Sequence, residues 1–279
     1  KFFKMAKTDV VLCSSHGAYL SKPRYSKKFR RGRIEIDYKV LFTKEQISEM
    51  SEDELYEIYK KEFAYNDFAW NKEKQYKYKA STSNATGLNK ILYKCPNCGK
   101  EFSLSIINDT IKCENCGNEI RVDECYNLSA NNNESKVLID RIDLWYNYQR
   151  KEVKKEIMNP DFKIEFDCNL VELNKIDFKS PHHYVTGRGH VTINHEGTHY
   201  IGSRNNEPFD LFIEIMKTPS APFTPGIGLD YYLGSELYSF EPINECDKKK
   251  VVKWMIAIEE MHNLIDESWN KVSLDVYNY

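Results

Sequence analysis

Apolar and polar positions alternate in different regimes along this chain. Residues 10–14 carry Val10, Val11 and Leu12 in an unbroken run, which predicts a short buried parallel strand. Residues 17–32 are basic, aromatic and without period, and read as a loop. Ile34, Ile36, Tyr38, Val40 and Phe42 then alternate with polar residues, the period of a strand. Thr43 caps a short predicted helix, and Ser51 with Glu54 forms a capping box for a longer one. There Leu55, Ile58, Tyr59, Phe63 and Phe68 share a face. Residues 71–83 are polar and Lys-rich and read as a linker, and residues 88–93 as a short helix or strand. A helix opening at Asp140 or Asp143 runs to Met158, with Ile142, Trp145, Tyr146, Val153 and Ile157 on its apolar side and Pro160 as its stop. It reads as a connector.

From Asp161 the period becomes that of strands. Residues 162–173, 187–193, 198–202, 208–215, 228–233 and 235–240 are the candidates, divided by turn sequences such as Asn194-His195-Glu196-Gly197 and Ser203-Arg204-Asn205-Asn206. Val251, Trp254, Met255, Ile258, Met261, Leu264 and Ile265 recur at helical spacing and close the set. The pattern is that of an α+β multidomain protein. Its expected units are residues 1–80, 90–125, 135–160 and 161–279.

Between the first two regimes lies the densest chemistry. Cys95-Pro96-Asn97-Cys98-Gly99 is answered by Cys113-Glu114-Asn115-Cys116-Gly117, with fourteen residues between Cys98 and Cys113. Two Cys-x-x-Cys knuckles at this spacing offer four thiolates to a tetrahedral zinc ion. Gly99 and Gly117 supply the backbone freedom of a tight knuckle turn. Residues 101–107 and 110–112 alternate as a hairpin turning at Asn108-Asp109. The competing reading is two disulfides in a secreted protein. The remaining Cys13, Cys125, Cys168 and Cys246 are scattered, without the density of a disulfide scaffold, and are expected to be small buried apolar residues. Four protein ligands close the site, so the zinc is expected to be structural.

The chain has 279 residues, 41% of them hydrophobic and 13% aromatic, which excludes general disorder. The net charge of −2 hides an asymmetry. Residues 1–45 hold twelve Lys/Arg against four Asp/Glu, whereas residues 161–279 hold eleven against nineteen. The front end is therefore expected to meet an anionic partner. No apolar run reaches the length of a membrane span. The chain starts at Lys1, inside an apolar pattern, and is expected to be a fragment lacking its amino-terminal part.

The succession Val10-Val11-Leu12, Gly17-x-Tyr19-Leu20, Pro23-Arg24, Arg31-Gly32-Arg33-Ile34-Glu35-Ile36 and a helix pair from Thr43 to Phe63 resembles the closing part of the 1-acylglycerol-3-phosphate acyltransferase family. With the Cys-Pro-x-Cys-Gly ribbon after it, the chain is similar to a bacterial form of such proteins. The resemblance implies that residues 1–80 are the carboxy-terminal piece of an α/β acyltransferase domain. It also implies transfer of a fatty acyl group from acyl-CoA or acyl carrier protein to 1-acylglycerol-3-phosphate, with a cytoplasmic location peripheral to the inner face of the membrane. The His-x-x-x-x-Asp motif of that chemistry is absent from these residues, as is Glu-Gly-Thr-Arg; Glu196-Gly197-Thr198-His199 lies in a β-rich segment. No catalytic residue is therefore assigned, and the chain alone is expected to be inactive. The β-rich part resembles a pleckstrin-homology or GRAM-like module. The alternative is a non-catalytic zinc ribbon with that module, docking an anionic lipid or a protein.

Lys22, Arg24, Lys27, Lys28, Arg30 and Arg31 are the candidate contacts to an anionic phospholipid surface, with Tyr19, Tyr25 and Phe29 at the interface. A solvated basic loop is the alternative. No nucleic acid is expected, because Lys94, Lys100, Lys112 and Arg121 of the ribbon are matched by Glu101, Asp109, Glu114 and Glu119. His182, His183, His190, His195 and His199 cluster in sequence; His183, His190 and His199 lack metal-site spacing, and alternation is expected to split these three between faces. Trp145, Trp254 and Trp269 are expected in cores or interfaces.

Overall fold

The computed structural model describes residues 2–173, 183–234 and 236–265. His182 and Trp269 lie outside them. Helix α1 (Phe2–Ala6) leads into strand β1 (Val10–His16), which pairs antiparallel with β2 (Glu35–Phe42) in a sheet of two strands. This corrects the expectation of a buried parallel strand. Val11 is exposed, because the apolar run lies in a ribbon with one bare face. Between the strands sits α2 (Ala18–Ser21), after which the basic loop buries Tyr25 and Arg30 and leaves Lys27, Lys28 and Phe29 in solvent. Asp67 holds this turn: its carboxylate accepts the amides of Gly17 at 2.6 Å and Tyr19 at 2.7 Å.

Helices α3 (Lys44–Glu49), α4 (Glu52–Phe63) and α5 (Asp67–Lys74) follow. Thr43 and Ser51 close capping boxes with Gln46 and Glu54, so the first two helices begin where the sequence places them. Phe42, Ile47 and Leu55 form a small core there. The apolar face read on α4 is only partly used: Leu55 is buried, whereas Ile58 and Phe63 are exposed and Phe68 belongs to α5.

Residues 71–83 are no linker. Tyr78 is fully buried, its amide donates to the Glu124 carbonyl at 2.8 Å, and Lys79 bridges Arg31. A single 3₁₀ turn (Leu88–Lys90) precedes the first knuckle. The ribbon contains β3 (Leu104–Ile107), β4 (Thr110–Cys113), β5 (Glu119–Val122) and β6 (Leu128–Ala130) in one antiparallel sheet of four strands. The predicted hairpin turns at Asn108, in the left-handed region at φ 53°. Strand β6 is short and mostly polar, with only Leu128 of its three residues buried.

Helix α6 (Ile142–Glu156) is a spine more than a connector. Ile142 and Trp145 complete a core built from the ribbon (Ile111, Ile120, Val122) and from Leu20, Tyr78 and Leu88 before it. Val153, more than two turns further on, enters the core of the β-rich part. That part is one antiparallel sheet of seven strands: β7 (Ile164–Leu173), β8 (His183–Ile193), β9 (Gly197–Arg204), β10 (Glu207–Glu214), β11 (Phe223–Thr224), β12 (Gly228–Leu233) and β13 (Glu236–Pro242). Their spatial order is β10-β9-β8-β7-β13-β12-β11, so the last strand returns to pair with the first. After the short α7 (Glu245–Lys248), helix α8 (Val251–Ile265) covers one face, and Trp254 stacks on Phe166 with ring centres 4.1 Å apart.

Candidate metal centre and basic loop

Each Cys-x-x-Cys knuckle is a tight turn tied by its own backbone. The Gly99 amide donates to the Cys95 carbonyl and the Gly117 amide to the Cys113 carbonyl, both at 2.9 Å. Both glycines take positive φ, 70° and 73°, with open space where a side chain would start. Conformation is what requires glycine here. The knuckles bring four sulfurs within 4.8 Å of one another. Cys95 Sγ lies 3.8 Å from Cys116 Sγ, and Cys98 Sγ lies 3.8 Å from Cys113 Sγ. Tetrahedral corners around zinc, at a metal–sulfur distance of about 2.3 Å, stand about 3.8 Å apart. The four cysteines form a structural zinc site.

A ring of donors surrounds the sulfurs, and the sequence pattern did not announce it. Asn97 Nδ2 points at Cys116 Sγ, 3.5 Å, and Asn115 Nδ2 at Cys98 Sγ, 3.6 Å. Each knuckle thus supplies an amide to a ligand of the other. Ser103 Oγ lies 3.4 Å from Cys113 Sγ. Burial works to raise the Cys113 thiol, yet the Ser103 hydroxyl and the amides of Cys116 and Asn115 outweigh it and bring the thiol to about 6. Burial pushes the Cys95 thiol up, and metal coordination would reverse that. The other cysteines divide: Cys168 is buried as expected, Cys125 is half-buried, and Cys13 and Cys246 are exposed, on a bare sheet face and a short helix where no core covers them.

The six basic-loop residues go to different places. Lys27 and Lys28 are exposed. Lys22 is exposed too, but its ammonium donates to the Lys27 carbonyl at 2.5 Å and lies 4.7 Å from the centre of the Phe29 ring. Arg24 lines a crevice of about 360 Å³ beside α6 and α8. Arg31 is exposed while its backbone pairs with Lys79. Arg30 is buried at 3% exposure and does not reach the surface. Its guanidinium lies between the rings of Tyr25 and Tyr126, at 5.1 and 5.6 Å, and donates to the Asn84 carbonyl at 3.2 Å. Of the aromatic residues expected at an interface, Phe29 is 74% exposed, Tyr19 is partly exposed, and Tyr25 is buried against Arg30.

The histidines form no metal cluster among the described residues. His190 and His199 share the outer face of the large sheet, through the pairings His190 with Ile201 and Thr192 with His199, instead of being split between faces. Each meets a carboxylate, His190 with Asp167 at 2.8 Å and His199 with Asp210 at 2.7 Å. His195 meets the Ile157 carbonyl at 2.7 Å. One more pair, His16 with Asp37 at 3.0 Å, joins β1 to β2.

The zinc-ribbon family described as DNA-directed RNA polymerase, 7 kDa subunit, matches residues 89–122. No curated protein and no solved structure matches the chain. The matched segment covers the two knuckles and the hairpin between them. Within it Lys112 pairs with Glu119 at 3.2 Å and Arg121 with Asp109 at 2.7 Å.

Proposed function

We propose that this chain is the non-catalytic part of a phospholipid acyl-transfer protein, its ribbon stapling the closing strands of an acyltransferase domain to a β-rich domain. One observation carries the reading. The register pairs Val11 with Val40, Cys13 with Tyr38 and Ser15 with Ile36 on one face of β1–β2. On that face Val11, Ile36, Tyr38 and Val40 are 54–70% exposed, and among the described residues no strand pairs with either outer edge. A sheet face of this kind needs a second layer. In this reading that layer is the catalytic unit of the acyltransferase, which brings the histidine that takes the proton from the acceptor hydroxyl and the aspartate that orients it. The substrates would be 1-acylglycerol-3-phosphate and an acyl group on coenzyme A or acyl carrier protein. The exposed Lys27-Lys28-Phe29 tip favours a cytoplasmic membrane surface rich in anionic lipid. Among the described residues no helix is long and apolar enough to cross a membrane. The strand order β10-β9-β8-β7-β13-β12-β11 with one closing helix supports a pleckstrin-homology or GRAM-like domain.

A second reading, a zinc-ribbon and pleckstrin-like binding module without catalysis, draws on the ribbon match and the same exposed tip. The two part in one experiment. The native polypeptide bearing these residues is isolated and given labelled acyl-CoA or acyl carrier protein with lysophosphatidic acid. Turnover by that polypeptide, with none by residues 1–279 alone, is the expected result. No turnover by the native polypeptide overturns the enzyme reading and leaves the module.

A further inference from the structure

The basic loop and the ribbon enclose an open basin of about 990 Å³. Lys27, Lys28 and Lys90 all line it. The hydroxyls of Thr82, Ser83 and Thr86 lie along it, and Thr82 Oγ1 and Thr86 Oγ1 are 3.1 Å apart. The turn of the ribbon hairpin, Asn108 and Asp109, lines it as well. None of the three lysines is in an ion pair among the described residues. Asp109 is the one acidic residue among those lining the basin, and Arg121 already holds it at 2.7 Å. The basin therefore carries an uncompensated positive charge together with hydroxyl donors.

The walls are pre-set. Gly87 adopts φ +89°, and a Cβ there would stand 2.3 Å from the Tyr25 carbonyl oxygen. Only glycine lets residues 82–90 press this closely on the loop. The buried Arg30 fixes the same loop from beneath through Tyr25 and Asn84. Three compact ammoniums on flexible stems beside hydroxyl donors match the charge and acceptor oxygens of a phosphate.

We infer that this basin binds a phosphate group, contributed by a phospholipid headgroup or by a soluble phosphate ester. Lys27, Lys28 and Lys90 neutralise it, and Thr82 and Thr86 donate to its oxygens. The inference rests on the anionic-partner part of the proposed function and is independent of acyl transfer.

The test uses zinc-loaded residues 1–279. Binding is measured by calorimetry with glycerol 3-phosphate and by co-sedimentation with phosphatidylcholine vesicles containing phosphatidic acid. Lys27→Gln/Lys28→Gln/Lys90→Gln is compared with a control of equal charge, Lys136→Gln/Lys163→Gln/Lys249→Gln. Near a phosphate-bearing surface each lysine is expected to be worth about fivefold, so the basin variant loses about a hundredfold in affinity and the control little. Zinc content and circular dichroism verify that both variants fold. Binding to vesicles alone identifies a headgroup, and binding to glycerol 3-phosphate identifies a soluble ester; either supports the site when the basin variant alone loses it. No binding to either probe, or equal loss in the control, overturns it. The absence of acyl transfer by the chain does not bear on the result.

Discussion

The side-chain oxygen of Gln149 accepts the backbone amide of Tyr93 at 2.6 Å, wholly shut off from solvent. The same oxygen takes the Lys94 amide at 3.0 Å, the Gln149 amide group donates to the Ile91 carbonyl at 2.9 Å, and Trp145 Nε1 donates to the Lys94 carbonyl at 2.7 Å. Helix α6 thus satisfies the backbone that enters the first zinc knuckle, as a neighbouring strand would. Gln149→Leu keeps the bulk and strands these groups. The expected loss is about 2–4 kcal/mol. A urea midpoint equal to that of the wild type would refute the assignment.

Metal removal tests the ribbon. One zinc per chain is expected by elemental analysis. Cys113→Ala should lose it together with the near-ultraviolet signal of the core that Trp145 and Tyr126 share with the ribbon. For small zinc modules the binding energy, on the order of 10–16 kcal/mol, is also folding energy. A zinc-free protein that keeps its thermal midpoint would contradict the stapling role.

Arg150 links α6 to α8. Its guanidinium meets Glu260 at 2.7 Å and Glu259 at 2.6 Å, and Glu260 is buried. Arg150→Met leaves that carboxylate buried without its cation, at an expected cost of about 3 kcal/mol or more. Adding Glu260→Gln should recover part of the loss. Strict additivity of the two changes in a double-mutant cycle would show that they do not interact.

The pH response has a definite sign at Glu152. Lys155 first, then Lys94, hold its carboxyl below the ordinary value of 4.5. A depressed carboxylate stabilises the fold above its unfolded pKa, and that contribution disappears as pH falls through the folded value. Stability should therefore decline on acidification from pH 4.5 downward, and Glu152→Gln should flatten that decline, its stability falling below the wild type's at pH 8, where the paired carboxylate contributes in full, and converging with it in acid. An identical slope in the variant, measured by thermal melts across this range, would exclude the linkage.

The bare face of the β1–β2 hairpin predicts tolerance. Tyr38→Lys with Val40→Lys should change the stability of the isolated chain by less than about 0.5 kcal/mol, because both side chains already face solvent. Self-association at high concentration should fall. A large drop in the unfolding midpoint would mean that other residues of the chain cover the face.

What the chain carries in plain sight is local. The ribbon could be read because four ligands, two positive-φ glycines and a two-residue turn lie within a short stretch. Metal geometry leaves such a stretch little choice. The caps at Thr43 and Ser51 and the alternating strands of the β-rich part were legible for the same reason, since a period and a cap depend on near neighbours. Tertiary structure decided the rest. The period of β1 marks an apolar side but is silent on whether anything lies against it, so a buried parallel strand was expected where an antiparallel ribbon with an open face stands. Six basic residues in one loop look equivalent in sequence; the packing of Tyr25 and Tyr126 withdraws Arg30 and leaves Lys27 and Lys28 lining one basin with Lys90. Burial and the meeting of distant side chains are set by which surfaces exclude water together, and a one-dimensional pattern holds no record of that pairing.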